Sequence, residues 1–330
     1  MNRLMRNSGV VAAFLLAAAG VVRGQPLGEP DRELPGDVWI QDFLALRTMR
    51  MQQPFADDLK SLEIWRKNGQ RYYDEYMYML GLSPLPEKTP LHATVTGKFD
   101  GDGFSVEMLH YQSRPQLYVT ANLFRPKNVP TGTRLPAVLY VCGHSGRGRD
   151  GNKTAFQSHG IWFARHGYVC LIVDTLQLGE IAATHHGTYN QNRWWWHSRG
   201  YTPAGVECWN GVRGIDYLVS RPDVDPERIG VTGISGGGAA TFWVAAADDR
   251  VKVAVPVSGM ADQESYVSNR VINGHCDCMF MVNTFQWPWT RIAGLIAPRP
   301  MLFVNSDHDS IFPMDANERI IGNLDRKSVV

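Results

Sequence analysis

The feature that most constrains this chain is a serine between two glycines, Gly233, Ser235 and Gly237. A strand-like stretch at 228–232 precedes them, and a helix-like stretch at 238–247 follows. A serine on so tight a strand-to-helix turn has a strained backbone, and glycine is favoured two residues before and after it because those positions nearly touch. The turn directs the hydroxyl out of a sheet, beside free amide groups at the start of the next helix. The sequence therefore predicts a nucleophilic serine that carries out acyl transfer.

Continuous apolar stretches indicate a parallel sheet, because strands buried on both faces are typical of one. They occupy residues 137–141, 168–173, 229–232, 251–255 and 301–304. Helices are predicted at 155–165, at 206–220 and directly after Ser235. Stretches of period two predict three antiparallel strands ahead of them, at 91–99, 104–111 and 117–124. Together with the serine turn, this pattern predicts an α/β-hydrolase fold with a mostly parallel central sheet and helices on both faces.

The amino-terminal residues predict export. Residues 1–24 combine Arg3 and Arg6 with an apolar run at 10–22, which is typical of a secretory signal peptide and short for a membrane span. A retained anchor is the alternative. We expect the mature chain to be secreted or periplasmic, without stable membrane insertion. Residues 25–90 predict a helical extension, and residues 91–324 the hydrolase domain.

The charge balance gives no sign of a nucleic-acid partner. The formal net charge of the whole chain is +1, and it falls to −2 without residues 1–24, which carry three arginines and no acidic residue. The roughly 300 remaining residues suffice for one large α/β domain with an extension. The oligomeric state is left open.

The other members of the site follow from the order of elements in this fold. The acid comes after the last predicted strand, where Asp307 and Asp309 both lie. We favour Asp309, which stands three residues before a hydrophobic residue and a proline, and assign Asp307 to a turn. The oxyanion hole needs two backbone donors, for which we choose the amides of Gly236 and His144, the latter in a glycine-rich run after an early strand.

A long insert before the helix at 206–220 contains three consecutive tryptophans, Trp194, Trp195 and Trp196. Three in succession cannot all face one side, so we expect at least one to line a cleft, where flat aromatic rings suit the faces of sugars. Trp287 and Trp289 are weaker candidates for the same role.

The five cysteines can form at most two disulfides in an oxidising compartment. Cys142 and Cys170 lie in or at the end of apolar strands, so we predict buried thiols there. We predict a disulfide between Cys208 and either Cys276 or Cys278.

We expect no metal ion. Residues 275–278 read His-Cys-Asp-Cys, but no second pair of ligands at a spacing typical of zinc sites accompanies them. We interpret His185 and His186 as polar loop residues.

The third member of a catalytic triad has no counterpart in this sequence, because no histidine follows His308. The last six residues, 325–330, equal the translation of a common sequencing adapter up to its in-frame stop. We therefore expect residues 325–330 to be an artefact and the natural carboxyl-terminal end, with its histidine, to be missing after Leu324.

Residues 207–218, 221–222, 224–230 and 232–238 resemble α/β-hydrolases of the acetylxylan esterase-like group, which adjoins the dienelactone hydrolases. The resemblance runs from about Leu117 to Leu324. It implies that Ser235 is the nucleophile, Asp309 the acid, and Gly236 and His144 the oxyanion donors. It further implies deacetylation of plant polysaccharide or oligosaccharide esters, with neither a metal nor an organic cofactor.

Two other functions are considered. A peptidase of the prolyl-oligopeptidase type shares the serine turn but usually carries a propeller domain, for which residues 25–90 are too few. A catalytically incomplete, carbohydrate-binding homologue is the second.

Overall fold

The computed structural model describes residues 34–58, 61–181, 183–185, 188 and 191–325. The predicted signal peptide, His186 and residues 326–330 of the predicted artefact lie outside these residues.

A seven-stranded sheet forms the centre of the described chain, in the order β1-β2-β3-β5-β4-β6-β7. The strands are β1 (Thr94–Asp100), β2 (Phe104–Arg114), β3 (Leu117–Pro126), β4 (Leu135–Val141), β5 (Val169–Val173), β6 (Val224–Ile234) and β7 (Val251–Val257). The last four are mutually parallel, and β1, β2 and β3 extend them as antiparallel neighbours. The strand predicted at 301–304 is reduced to two parallel bridges, Ala254 to Met301 and Val257 to Val304.

Nine α-helices are present in the described part of the chain. They are α1 (Pro35–Asp58), α2 (Leu62–Leu80), α3 (Gly151–Ala155), α4 (Gln157–Arg165), α5 (Trp195–Ser198), α6 (Pro203–Val219), α7 (Gly236–Ala247), α8 (Thr290–Ile296) and α9 (Met314–Asp325). None of the helices so described is both long and apolar enough to cross a lipid bilayer.

Helices cover both faces of the sheet, and strand β4 shows why. Leu139 and Val141 belong to the larger core, with residues of α2, α6, α7 and α8. Val138 and Tyr140 point the opposite way into a smaller core beneath α4. Successive side chains of a strand alternate between faces, so an apolar run of this length needs cover on both.

The predicted amino-terminal helical region is described as α1 and α2, of which α2 docks on the sheet domain. Ser61 caps α2 by accepting a hydrogen bond from the Ile64 amide at 3.2 Å. The hydroxyl of the fully buried Tyr76 donates to the Trp243 carbonyl of α7 at 2.9 Å. Helix α1 instead leaves large apolar side chains exposed, such as Trp39, which is 72% exposed.

Candidate active site

Ser235 lies between the carboxyl end of β6 and the start of α7, on a turn of the predicted kind. Its φ is 59°, in the left-handed region that a serine rarely adopts. The Ser235 amide donates to the Val257 carbonyl at 2.9 Å, and its carbonyl accepts from the Ala239 amide at 3.0 Å. The unusual conformation is therefore held on one side by β7 and on the other by the first turn of α7.

The two glycines flanking this turn have no space for a side chain. A Cβ on Gly233 would lie 2.1 Å from the Val141 carbonyl oxygen, and one on Gly237 would lie 2.2 Å from the same atom. The end of β4 thus packs directly under the turn. This close approach explains the glycine spacing from which the turn was predicted.

The loop after β4 lies beside Ser235 and is fixed by two buried polar side chains. Asn152, which is fully buried, donates to the Gly143 carbonyl at 2.8 Å and accepts from the Ser145 amide at 2.9 Å. Thr175 donates to the Gly143 carbonyl at 3.1 Å. In a trans peptide the carbonyl and the following N–H point in opposite directions, so the His144 amide points away from Asn152. This arrangement favours the His144 amide as an oxyanion donor, a role that stays a prediction.

A buried ion pair also stabilises the loop after β4. Lys153 and Asp174 are 3% and 7% exposed, and the Lys153 ammonium contacts the Asp174 carboxylate and lies 2.7 Å from Glu180. Asp174 also accepts from the Lys153 amide at 2.9 Å and from the Thr120 hydroxyl at 2.7 Å. These contacts tie the start of α3 to the end of β5. Sequence reasoning did not find Asn152, Lys153 or Thr175; the one signal in the sequence was that Asp174 and Thr175 directly follow a buried strand.

The side chain of His144 contacts the start of α7. A Cβ on Gly236 would lie 2.6 Å from His144 Cε1, so the imidazole rests against the backbone of the other predicted oxyanion donor. The His144 and His185 rings lie 4.6 Å apart between centroids. With Cys276 and Cys278 they form a group whose potential ligand atoms all lie within 4.8 Å of one another.

The predicted acid, Asp309, lies on the loop that follows the bridge between Val257 and Val304. Its carboxylate accepts from the backbone amides of Ile311 and Phe312, at 3.1 and 2.9 Å. Asp307 is exposed on the turn before it. Val304 bridges Val257, and Val257 pairs with Ile234. Ser235, which follows Ile234, and the loop of Asp309, which follows Val304, therefore lie at the same edge of the sheet, where the parallel strands end.

The charge of the Asp309 carboxylate acts on the imidazole of His275. Burial lowers the pKa of His275 to about 4, although the Ile311 carbonyl and the Asp309 charge both act to raise it. Its Nε2 lies 2.8 Å from the Ile311 carbonyl oxygen and therefore donates to it. The ring packs against Tyr266 and Phe312. The neutral imidazole therefore packs in the core and donates a hydrogen bond to the loop that contains Asp309.

The structure separates the tryptophans into two groups. Trp194 and Trp195 are 52% and 60% exposed, and their role in substrate binding stays a prediction, as does that of the half-buried Trp196. Trp287 and Trp289 are 0% and 3% exposed and belong to the larger core. The suggestion that Trp287 and Trp289 line a cleft was therefore wrong. The Trp287 ring packs against Tyr76 of α2, and the Trp289 ring packs against Trp243 of α7.

The predicted disulfide partner of Cys208 was also wrong. The structure joins Cys276 to Cys278, and Cys208 is a buried free thiol whose Sγ donates to the Trp243 carbonyl at 3.3 Å. Burial raises the pKa of Cys208. Cys142 and Cys170 are buried free thiols, as predicted.

Comparison with known proteins gives a family match over just over half of the chain. The model described as the prolyl oligopeptidase family matches residues 155–329. "Putative hydrolase YtaP" of Bacillus subtilis (strain 168) is 26% identical over 248 residues, which are 72% of this chain and 81% of that protein. "Uncharacterized protein PA2218" of Pseudomonas aeruginosa is 29% identical over 48% of this chain and 38% of its own length.

Solved structures share the architecture. "Methylesterase BT1017" has a TM-score of 0.62 at 23% identity, covering 88% of this chain and 62% of its own, so this chain spans less than two thirds of it. A glucuronoyl esterase from Solibacter usitatus has a TM-score of 0.60 at 16% identity, covering 80% of each chain. A third structure, named as a "putative acetyl xylan esterase" from Bacteroides fragilis NCTC 9343, has a TM-score of 0.59 at 15% identity, covering 80% of this chain and 74% of its own. At these identities the likeness concerns the fold, and it confirms the predicted fold class.

Proposed function

We propose that this chain, which belongs to the prolyl oligopeptidase family, is a secreted serine carboxylic-ester hydrolase that deacetylates xylan or related carbohydrate esters. The chain is a hydrolase of the α/β-hydrolase superfamily; its substrate, its export and its site residues are parts of the proposal. Residues 1–24 act as the signal peptide, 25–90 as a helical extension and 91–324 as the hydrolase domain.

The observation that carries the proposal is the backbone of Ser235. A non-glycine residue at a φ of 59°, between a parallel strand and the first turn of a helix, is a strained conformation of the kind that occurs at active sites. The strain presents the hydroxyl at the amino-terminal end of α7, where helix amides favour negative charge.

The reaction begins when the Ser235 Oγ attacks the ester carbonyl and forms a bond to its carbon. The carbonyl oxygen becomes an oxyanion that accepts hydrogen bonds from the Gly236 and His144 amides. The general base takes the proton of the Ser235 hydroxyl and passes it to the oxygen of the leaving alcohol, whose expulsion leaves an acyl-enzyme. Water, deprotonated by the same base, then attacks the acyl carbon, and the proton returns to the Ser235 Oγ as the acid is released. Asp309 acts as the acid that orients the base; the base itself is left unassigned.

Two observations support a carbohydrate ester as substrate. The structural neighbours are named as a methylesterase, a glucuronoyl esterase and an acetyl xylan esterase. The exposed rings of Trp194 and Trp195 lie on the insert after β5, a strand that ends at the same edge of the sheet as β6. No organic cofactor enters this mechanism.

A peptidase is the second candidate, and the family match favours it specifically. The two functions differ in the bond cleaved. Hydrolysis of a prolyl peptide substrate with no activity on acetylated xylan or 4-nitrophenyl acetate would favour the peptidase.

The test combines a fluorophosphonate probe with acetyl ester hydrolysis by the full chain. We expect the probe to label the protein, and Ser235→Ala to remove both the label and the hydrolysis. Ser306→Ala is the matched control, because Ser306 is an exposed serine at the same edge of the sheet and should keep both. Undiminished labelling and hydrolysis in Ser235→Ala would refute the assignment.

A further inference from the structure

Four side chains of ligand type converge beside the nucleophile turn from three separate segments. His144 comes from the loop after β4, His185 from the insert after β5, and Cys276 and Cys278 from the loop between β7 and α8. Two sulfurs and two imidazole nitrogens are the donor set that zinc prefers in structural sites.

Three nitrogen–sulfur separations are close to those of tetrahedral coordination. The His144 Nε2 lies 3.3 Å from the Cys276 Sγ and 3.4 Å from the Cys278 Sγ, and the His185 Nε2 lies 3.8 Å from the Cys278 Sγ. Zn–S bonds of about 2.3 Å and Zn–N bonds of about 2.0–2.1 Å at a tetrahedral angle place sulfur and nitrogen about 3.6 Å apart. The three observed distances fall on either side of that value.

The surroundings orient the donors. The His185 Nδ1 lies 2.9 Å from the Leu176 carbonyl oxygen, which can only accept, so Nδ1 carries the proton and the lone pair of Nε2 faces the sulfurs. A backbone carbonyl on the far nitrogen is the usual support of a metal-binding histidine. Asp277, between the two cysteines, accepts from the Thr188 amide at 2.9 Å and anchors their loop.

Burial and charge fit a dipositive ion. Cys276 and Cys278 are 4% and 1% exposed, whereas His144 is exposed and His185 half-buried, which leaves a path for entry. Two thiolates balance the charge of Zn²⁺, and two neutral imidazoles add none. The assembled site is neutral, as a mostly buried group should be.

We propose that Cys276, Cys278, His144 and His185 bind one zinc ion. On binding, each thiol loses its proton to solvent and each sulfur donates an electron pair to zinc, so two protons are released for each ion bound and no redox change occurs. The disulfide seen between Cys276 and Cys278 is the oxidised alternative to this state. A bridge between residues two apart connects no distant parts of the chain, whereas the metal links three loops.

The site has a structural role with a direct consequence for the reaction. All four positions are filled by protein ligands, which is the closed arrangement of structural zinc. The metal fixes the His144 ring against Gly236, and so holds the loop beside Ser235. Only this consequence for activity rests on the proposed function; zinc binding does not.

The experiment measures zinc in the full chain prepared under reducing conditions. We expect about one zinc per chain by mass spectrometry, and a thiolate-to-metal charge-transfer band after replacement by cobalt. After chelation, titration with zinc should restore the metal and release protons. His185→Ala should weaken zinc binding at least about tenfold, and Cys276→Ser with Cys278→Ser should abolish it.

Matched controls separate the site from the rest of the chain. His166→Ala, at an exposed histidine, and Cys208→Ala, at a buried free thiol, should keep one zinc per chain. Ser235→Ala should also keep it, so loss of hydrolysis and loss of metal are distinguishable. Circular dichroism checks that each variant is folded. The proposal is overturned if the reduced, folded chain binds no zinc, or if His185→Ala binds zinc as tightly as the original chain.

Discussion

The two ends of β6 are fixed by different kinds of interaction. At the amino end, the Arg221 guanidinium contacts Asp223 in two hydrogen bonds of 2.9 and 3.0 Å and reaches Glu107 of β2 at 2.9 Å. At the carboxyl end, Ser235 has its left-handed conformation, and backbone from β4 leaves no space beside the adjoining glycines. One end depends on long charged side chains, and the other on the absence of side chains.

This difference predicts which substitutions the protein tolerates and which ones impair its function. Charged side chains can rearrange or be replaced at moderate cost because water compensates part of the loss. A Cβ added to Gly233 or Gly237 would lie near 2 Å from a backbone oxygen of β4, and this overlap cannot be relieved without moving a strand. We therefore expect substitutions at the amino end to change stability alone, and substitutions at the carboxyl end to change fold and activity together.

Gly237→Ala should have the largest effect. The added Cβ would lie 2.2 Å from the Val141 carbonyl oxygen, so β4 and the turn must separate. We expect a loss of about 3 kcal/mol or more in the free energy of unfolding, with loss of fluorophosphonate labelling. Denaturant titration measures it.

Gly322→Ala is the matched control for that substitution. Gly322 lies in α9 with no atom within 4 Å of a built Cβ, and alanine there should stabilise the protein by about 0.5–1 kcal/mol. Equal stability of the two variants would contradict the steric account of the turn.

Asn152→Ala should have the next largest effect. It removes two buried hydrogen bonds and leaves the Gly143 carbonyl and the Ser145 amide with fewer partners. We expect a loss of about 2–3 kcal/mol in stability and a fall of about tenfold to a hundredfold in kcat, because the loop no longer presents the His144 amide. Asn152→Asp, which keeps the acceptor, should retain more activity; a variant with unchanged kcat would show that Asn152 does not position this loop.

Arg221→Gln tests the amino end and should cost about 1–2 kcal/mol near pH 7, with kcat unchanged. Burial raises the pKa of Asp223 and of Glu107. The charge and hydrogen bonds of Arg221, together with Arg125 acting on Asp223 and Lys98 acting on Glu107, outweigh burial and lower both pKa values overall. Groups with lowered pKa stabilise the fold above their unfolded pKa of about 4, and that contribution is lost as pH falls.

The difference in the free energy of unfolding between Arg221→Gln and the original chain should therefore stay constant at about 1–2 kcal/mol from pH 6 to 8. It should shrink below about pH 4. Thermal unfolding across this range measures it. Arg228→Gln breaks the more exposed pair with Asp225 and should cost less stability than Arg221→Gln. A difference that grows at low pH would contradict the ion-pair explanation.

Trp195→Ala should have the smallest effect on stability, within about 0.5 kcal/mol, because its side chain is 60% exposed. If the ring contacts sugar, KM for acetylated xylan should rise severalfold while hydrolysis of 4-nitrophenyl acetate is unchanged. Trp287→Ala, at a fully buried tryptophan, should instead cost about 3–5 kcal/mol. An unchanged KM for the polymer would remove Trp195 from the proposed binding surface.

Much of the fold could be predicted from local patterns. The buried strands and the helices after them appear as apolar runs and as three- and four-residue spacings, which depend on neighbouring residues only. The strand at 301–304 is the exception. An apolar run indicates burial, but a continuous ladder also needs the neighbouring backbone in register, and the structure retains two bridges there.

The burial of the tryptophans could not be predicted from local patterns either. Trp195 and Trp287 are the same residue type in equally aromatic contexts, yet one is 60% exposed and the other fully buried. Whether an indole ring faces solvent depends on which helices meet around it, and spacing along the chain does not contain that information.

The sequence by itself determined the turn at Ser235, because its requirement for glycine is set by backbone contacts within five residues and a neighbouring strand end. Only the tertiary structure decided the environment of that turn. Thr175 meets Gly143, and His144 and His185 meet Cys276 and Cys278, because the carboxyl ends of parallel strands bring loops far apart in the chain to one edge. Such meetings depend on the order of strands in the sheet, which no local pattern of residues specifies.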